Sequence, residues 1–175
     1  MKIAICLTGQ LRTWKEAYKN QQWFWETSGV EVDYFVHTWN YSQDRTAVSK
    51  PYETRPITDE EYGEFLATYN PKKSILDNKK STDFYSNDHW SCLFYSLSQV
   101  LHLKKQYELE NNFKYDLVVK SRPDLVFNPG ITFSWPPLRD NQIHSTHGGL
   151  MPMEFNMFNV NDCVFLGNSY SMDLL

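Results

Sequence analysis

Residues 2–10 read KIAICLTGQ, and this short stretch decides the fold class. The run Ile3–Leu7 is apolar throughout, without the alternation of a half-exposed strand, which is typical of a strand covered on both faces. Because the run has only five residues, we expect neither a signal peptide nor a membrane span here. The sequence therefore predicts a buried strand over residues 2–7, followed directly by a polar turn.

The residues that follow extend this strand into a strand-helix-strand unit. Apolar and aromatic side chains recur near helical spacing from Leu11 to Trp25, which predicts a helix over 11–25. Gly29 ends it, and VEVDYFVHTW then predicts a second strand over 32–38. This order favours a parallel sheet with a right-handed crossover.

The alternation continues to about residue 121. Thr58 and Glu61 have the spacing of a capping box, which marks the start of a helix. An Asn-Pro pair at 70–71 ends that helix. The further predicted elements are a helix over 58–69, a strand over 73–77, a helix over 91–111 and a strand over 116–121.

Between and after these elements the sequence has other patterns. Residues 42–57 are polar and predicted to be irregular, residues 143–149 are predicted to be a loop, and residues 157–175 read as a strand turning into a helix. We expect one α/β domain over residues 1–175, with a mostly parallel sheet flanked by helices. Four charged residues of the longest helix are predicted to lie outside its apolar face: Lys104, Lys105, Glu108 and Glu110.

Composition narrows the possible partners. The 175 residues are 41% hydrophobic and carry a net charge of −4, which argues against disorder and against a nucleic-acid partner. Aromatic residues make up 16%, enough to supply both a core and a stacking surface for a flat ligand. Three widely spaced cysteines in apolar surroundings favour buried thiols in a reducing, cytoplasmic environment over disulfides.

Polar residues follow three of the predicted strands. In an open parallel sheet, ligands bind outside the carboxyl ends of the strands, so these residues are the candidate binding site. Neither a G-x-G-x-x-G nor a G-x-x-x-x-G-K-[ST] motif is present, which leaves a dinucleotide site and a P-loop unsupported. The candidates are Thr8, Gly9, Gln10 and Arg12 after the first strand, His37 and Trp39 at the second, and Arg122 and Asp124 after the strand over 116–121.

The segment Arg122-Pro123-Asp124 places opposite charges around a proline. Pro123 cannot donate to a strand ladder, so regular pairing ends beside it. In an extended chain Arg122 and Asp124 point the same way. Asp124 then has the chemistry to hold a divalent cation and Arg122 to bind a phosphate oxygen. Alternatively, the two side chains pair only with each other.

Each of the other candidates also has a structural interpretation. Gly9 can serve a tight turn, and Arg12 can be a solvated side chain rather than a phosphate ligand at a helix start. Trp39 and His37 can be packing residues. Asp162 is the candidate for a second functional carboxylate, with helix or strand capping as the alternative.

Five segments together resemble small GT-A-fold glycosyltransferase-like proteins of microbes and their viruses. The segments are MKIAICLTGQLRTW, VDYFVHTWN, YNPKKSILD, YSLSQVLHLKKQYELENNFKYDLVVKSRPDLVF and NDCVFLGNSYSMDLL, with TGQLR, HTW and RPD the most specific elements. The resemblance implies a Rossmann-like GT-A domain and a transferase that takes a nucleotide-sugar donor. Its acceptor would be a carbohydrate or glycoconjugate.

The same resemblance implies roles for the candidate residues. GT-A proteins carry an acidic D-x-D signature that binds Mn²⁺ or Mg²⁺ and the donor diphosphate, and here that position reads Arg122-Pro123-Asp124. Asp124 would hold the metal. Arg122 stands at the position of the first acid, and its positive charge would substitute for part of the charge of the metal. Residues 8–12 would meet the nucleotide, residues 37–40 the base and ribose, and Asp162 the reacting sugar.

Two alternatives to a transferase remain at the level of sequence. The chain stops at SMDLL, where GT-A enzymes continue, so the resemblance implies a truncated or minimal version. Such a chain could be a non-catalytic nucleotide- or carbohydrate-binding module. A metal-dependent nuclease, suggested by Pro123-Asp124, is disfavoured by the acidic charge and by the lack of a suitably placed acid-x-lysine.

Overall fold

A computed structural model describes residues 1–26, 31–44, 53–78, 89–127, 139–145 and 164–175. It confirms an α/β arrangement in which strands and helices alternate along most of the chain. The elements are β1 (Lys2–Gly9), α1 (Trp14–Glu26), β2 (Glu31–Trp39), β3 (Tyr41–Asp44), β4 (Glu53–Pro56), α2 (Asp59–Tyr69), β5 (Lys73–Asp77), α3 (His89–Asn111), β6 (Leu117–Ser121), β7 (His144–Ser145), β8 (Phe165–Gly167) and α4 (Ser169–Met172).

The main sheet has β1 near its centre. Among the described residues it contains six strands in the order β5-β2-β1-β6-β8-β7. The pairs β1 with β2, β1 with β6 and β2 with β5 are parallel, whereas β8 runs antiparallel to both of its neighbours. This order, with crossovers between parallel strands, is compatible with a Rossmann-like fold.

The side chains of β1 alternate between two cores. Ile3, Ile5 and Leu7 face one side of the sheet, where they pack with aromatic residues of α1 and α2. Ala4 and Cys6 face the other side, against α3 and α4. A one-residue slip of β1 would exchange the two sets, so the packing fixes the register that aligns the strand ends.

The termini of α2 follow the sequence signals. The Thr58 hydroxyl accepts a hydrogen bond from the Glu61 amide at 3.1 Å, which is half of the predicted capping box. The Glu61 carboxylate instead binds Arg55, at 2.7 Å and 2.8 Å, and this ion pair lowers its pKa. Asn70 ends the helix with a φ of 45°, in the left-handed region that asparagine tolerates.

Two loop predictions are wrong. Residues 42–57 are not wholly irregular, because β3 and β4 form an antiparallel pair with Tyr41 opposite Pro56. The loop-like stretch around residue 144 contains the short strand β7, which extends the sheet beside β8. Both errors have one cause: these strands are short and polar, so they lack the apolar run that predicts a strand.

The predicted exposure of Lys104 and Glu108 on α3 is also wrong, because both are buried. The Lys104 ammonium donates to Glu108 at 3.2 Å and to Asp173 at 2.6 Å, and the Ser169 hydroxyl donates to Glu108 at 2.7 Å. Burial alone would raise the pKa of Glu108, but hydrogen bonds from Ser169, the Tyr115 amide and Lys114 lower it. Paired charges of this kind attach the C-terminal helix α4 to α3.

None of the helices within the described ranges is both long enough and apolar enough to cross a membrane. Even α3, with 23 residues, carries buried charges that bind partners inside the protein.

Replacing Lys104 with Met should destabilise the fold strongly. The substitution leaves the buried carboxylate of Glu108 without its nearest cation on α3, and breaking a buried pair costs about 3–5 kcal/mol of unfolding free energy. Lys105→Met is the matched control, since Lys105 is half exposed and 4.0 Å from Asp173, where a pair contributes about 0–1 kcal/mol. Urea unfolding of both variants measures the difference, and equal small losses would contradict the assigned role of Lys104.

Candidate functional site

A cleft of about 90 Å³ lies at the carboxyl edge of the parallel strands. It is formed where β1, β2 and β6 end beside the starts of α1 and α3. Four of the candidates from one strand end, Thr8, Gly9, Gln10 and Arg12, meet there with Trp39 and Arg122. The complete lining is Thr8, Gly9, Gln10, Arg12, Trp39, Tyr41, Cys92, Leu93, Ser96 and Arg122.

Gly9 allows the backbone to turn at the floor of the cleft. Its φ of 126° lies in a region that side chains disfavour, so a glycine is needed for conformation rather than for space. A Cβ built at Gly9 would stand 4.0 Å from the Arg122 Cγ and 3.9 Å from the Pro123 Cδ, which are ordinary contacts. The Thr38 hydroxyl donates to the Gly9 carbonyl at 2.8 Å and holds the turn.

Two arginines share one carboxylate beside this turn. The Arg122 guanidinium binds Asp124 in bidentate fashion, from Nε to Oδ1 at 2.8 Å and from Nη2 to Oδ2 at 2.7 Å. Arg12 Nη1 reaches the same Oδ2 at 3.4 Å. Asp124 is 9% exposed, whereas Arg12 and Arg122 are 18% and 28% exposed. The group therefore carries a net positive charge and presents its cations, not its anion, to the cleft.

The chain at Arg122–Leu125 is not extended, in contrast to the geometry assumed from the sequence. The Leu125 amide donates to the Arg122 carbonyl at 3.3 Å, which closes a turn around Pro123 and Asp124. Because this turn leaves its carbonyls without a strand partner, the buried Gln21 of α1 donates to them instead, to Arg122 at 3.1 Å and to Leu125 at 2.7 Å. Arg122 and Asp124 come together because the chain turns between them, and not because they lie on the same face of an extended strand.

Gln10 fixes the position of Arg12. Its Oε1 accepts a hydrogen bond from Arg12 Nε at 3.3 Å and another from the backbone amide of Gln43 in β3 at 2.8 Å. The end of β1 is thereby joined to the β3–β4 hairpin, which sequence analysis did not predict. Since Arg12 has hydrogen bonds to both Gln10 and Asp124, its guanidinium is held beside the cleft at two points.

Aromatic rings form the wall of the cleft at the end of β2. Trp39 stacks on Tyr95 of α3, with ring centroids 5.9 Å apart and planes inclined by 30°. Tyr41 lies beside Trp39 at a centroid distance of 6.4 Å. Asp77 at the end of β5 accepts a hydrogen bond from the Tyr95 hydroxyl at 2.9 Å, which orients that ring. Because Trp39 is only 4% exposed, the half-buried Tyr41 is the ring of this wall that a flat ligand reaches more easily.

His37 does not line the cleft, although it was a candidate. It is fully buried behind Trp39, with Nε2 3.0 Å from Asp77 Oδ2. Burial lowers the pKa of the imidazole, against the opposing effect of the Asp77 hydrogen bond. Its position makes His37 a support for Trp39 and Asp77 rather than a group that contacts a ligand.

The described residues do not fit a divalent-cation site at Asp124. Both of its carboxylate oxygens already accept hydrogen bonds from guanidinium groups, which a cation would have to displace. Within the same ranges, no group of three or more His, Cys, Asp and Glu side chains is placed to hold a metal ion. Asp162, the candidate second carboxylate, lies outside the described residues.

Sequence reasoning missed several residues of the site. Cys92 and Ser96 lie one turn apart on α3 and face the cleft, and their i, i+4 spacing was the available signal. Gln21 gave no signal, because a glutamine in an aromatic helix resembles a surface residue. Its contacts with the Arg122 segment span about a hundred positions along the chain.

No model of a protein family matches the sequence, and no curated protein matches it.

Gly9 and Gly63 offer a matched test of the turn. Gly9→Ala should lower the free energy of unfolding by about 1–3 kcal/mol, because alanine would have to occupy a disfavoured backbone region. Gly63 lies in α2 with nothing within 4 Å of a built Cβ, so Gly63→Ala should stabilise the protein by about 0.5–1 kcal/mol. Thermal unfolding measures both, and a Gly9→Ala protein as stable as the wild type would refute the conformational requirement.

Proposed function

We propose that this protein is a glycosyltransferase that binds a nucleotide-sugar donor in the cleft at the ends of β1, β2 and β6. The observation that carries the proposal is the pair of arginines, Arg12 and Arg122, oriented by Asp124 at the cleft. A guanidinium fork matches the geometry of phosphate oxygens, and two forks supply charge for a diphosphate. The GT-A resemblance of the sequence supports the same assignment.

The aromatic wall supports a nucleoside as the remainder of the donor. Trp39 and Tyr41 line the cleft beside the arginines, so a base stacked on them would place its phosphates towards Arg122. The stacking of Tyr95 on Trp39 and its hydrogen bond to Asp77 hold this wall in place. Stacking of this kind accepts different bases, so the wall favours a nucleotide without selecting one.

The arginines would act on the leaving group of the transfer. As the bond between the anomeric carbon and the diphosphate oxygen breaks, negative charge develops on the diphosphate. Arg12 and Arg122 are already oriented to stabilise that charge, so little reorganisation is needed during the reaction. The acceptor hydroxyl forms the new bond to the sugar and gives up its proton to a general base. Asp162 stays the carboxylate predicted to lie near the reacting sugar.

By the resemblance, Arg122 stands where the D-x-D signature has its first acid, and the contacts of Arg122 with Asp124 support a role for it in place of that acid. The carboxylate of Asp124 orients the guanidinium groups of Arg12 and Arg122. Their positive charge would take the place of the Mn²⁺ or Mg²⁺ that the resemblance implies. We therefore propose that the donor diphosphate binds without a resident metal at Asp124. Asp124 serves as the residue that positions the arginines.

A non-catalytic nucleotide- or carbohydrate-binding module is the second candidate. The cleft volume of about 90 Å³ is below the roughly 300–1,000 Å³ of sites that enclose a drug-sized ligand. Such a volume favours binding of the diphosphate portion over enclosure of a whole nucleotide sugar. Hydrolysis of nucleotide sugars distinguishes the candidates, because a binding module would take up the donor without turning it over.

Calorimetric titration with a panel of nucleoside diphosphates tests the binding claim. Arg122→Ala should weaken binding roughly 10- to 100-fold, the range for a lost hydrogen bond to a charged group. Arg122→Lys should restore little of it, because lysine keeps the charge but loses the fork. Binding should not change when EDTA is added.

The control for this titration is Arg139→Ala. Arg139 is exposed and its carbonyl lies near Ser171 of α4, at the edge of the sheet opposite the cleft. Its removal should leave affinity unchanged. A folded Arg122→Ala protein that binds as tightly as the wild type would refute the proposal, and loss of binding in EDTA would refute its metal-free form.

A further inference from the structure

Two buried hydroxyl groups in the cleft have no hydrogen-bond partner among the described residues. They are Thr8 Oγ1 at the end of β1 and Ser96 Oγ on α3, in side chains that are 1% and 2% exposed. Buried polar groups are nearly always paired, because an unsatisfied hydroxyl destabilises a protein by about 1–3 kcal/mol. Both residues line the cleft, so a ligand bound there is the available partner.

Other hydroxyls in this protein form the local hydrogen bonds that Ser96 and Thr8 do not. Thr68 in α2 donates to the carbonyl four residues earlier, that of Glu64, at 2.8 Å. Thr38, one strand away from Thr8, donates to the Gly9 carbonyl at 2.8 Å. Backbone bonding of this kind is common for serine and threonine. Ser121 Oγ at the end of β6 also has no partner among the described residues, but Ser121 does not line the cleft. Thr8 and Ser96 combine the missing hydrogen bond with a position on the cleft.

The surroundings of the two hydroxyls indicate what kind of ligand they would contact. Arg12 and Arg122 lie on the same cleft, and Cys92 and Ser96 place the first turns of α3 against it. Guanidinium groups attract anions. Hydroxyl groups add neutral donors, and the set as a whole matches a phosphoryl group with several oxygens.

We propose that Thr8 and Ser96 are ligand-binding residues whose hydroxyls donate hydrogen bonds to phosphoryl oxygens held by Arg12 and Arg122. The inference rests on the proposed function for the class of ligand. It assigns Ser96, to which the sequence resemblance gives no role, and it specifies a hydroxyl contact with phosphoryl oxygens for Thr8, one of the residues 8–12 that the resemblance places near the nucleotide. Both oxygens are buried while their residues line the cleft, so the proposed contact requires rotation about χ1 to another staggered rotamer when the ligand binds. The protein thus keeps two hydroxyls without a protein partner among the described residues, and the ligand would accept hydrogen bonds from both.

This role has an experimental signature that combines stability with affinity. Thr8→Val and Ser96→Ala remove the hydroxyls with little change in shape. Each variant should be at least as stable as the wild type in thermal unfolding, because an unsatisfied buried group is lost. Each should also bind inorganic pyrophosphate about 3- to 30-fold more weakly in calorimetry, the range for one lost hydrogen bond.

Thr68→Val is the control, because it removes a hydroxyl that already has a partner on a different helix. It should leave pyrophosphate affinity unchanged. Unaltered affinity in folded Thr8→Val and Ser96→Ala proteins would overturn the inference, as would a lack of pyrophosphate binding by the wild type. If one variant does not fold, the other decides the question by the same criterion.

The same titrations separate this inference from the proposed function. Pyrophosphate binding that depends on the two hydroxyls, in a protein that never hydrolyses or transfers a sugar, would support the inference and refute the transferase. Conversely, the protein could transfer a sugar while Thr8→Val and Ser96→Ala leave its affinity for nucleoside diphosphates unchanged. That result would support the transferase and refute the inference.

Discussion

The parallel pairing of β1 with β2 on one side and β6 on the other is the constraint on which the site depends. In this register Thr8 lies opposite His37, and Leu7 lies opposite Ser121, so three strands end at one edge. Alternating burial of the β1 side chains in two cores keeps the strands from slipping. The position of the cleft is therefore a consequence of core packing.

A second requirement is the placement of positive charge beside that edge. Asp124 neutralises part of the charge of Arg12 and Arg122 and accepts hydrogen bonds from both, while Gln21 fixes the turn that carries Arg122 and Asp124. Because these contacts are made within the protein, the arginines are oriented before any ligand arrives. Preorganisation of this kind reduces the entropy lost on binding. It also explains why a carboxylate at this position need not act as a metal ligand.

The sequence predicted those features that depend on local pattern. The strands at 2–7, 32–38 and 116–121 have long apolar runs, and the structure confirms them within one or two residues. The sequence could not predict the burial of Lys104 or the role of Gln21, because both depend on partners from distant segments of the chain. Candidate site residues were identified where strands end, but the hydroxyl of Ser96 lies on a helix that meets this edge only through tertiary packing.

The most direct test of the central claim is a crystal structure of the protein grown with a nucleoside diphosphate. We expect diphosphate oxygens within about 3.2 Å of guanidinium nitrogens of both Arg12 and Arg122, with Asp124 still paired to them. The base should lie against Trp39 and Tyr41. A diphosphate bound away from this cleft, or one held by a cation on Asp124 with the arginines displaced, would contradict the claim.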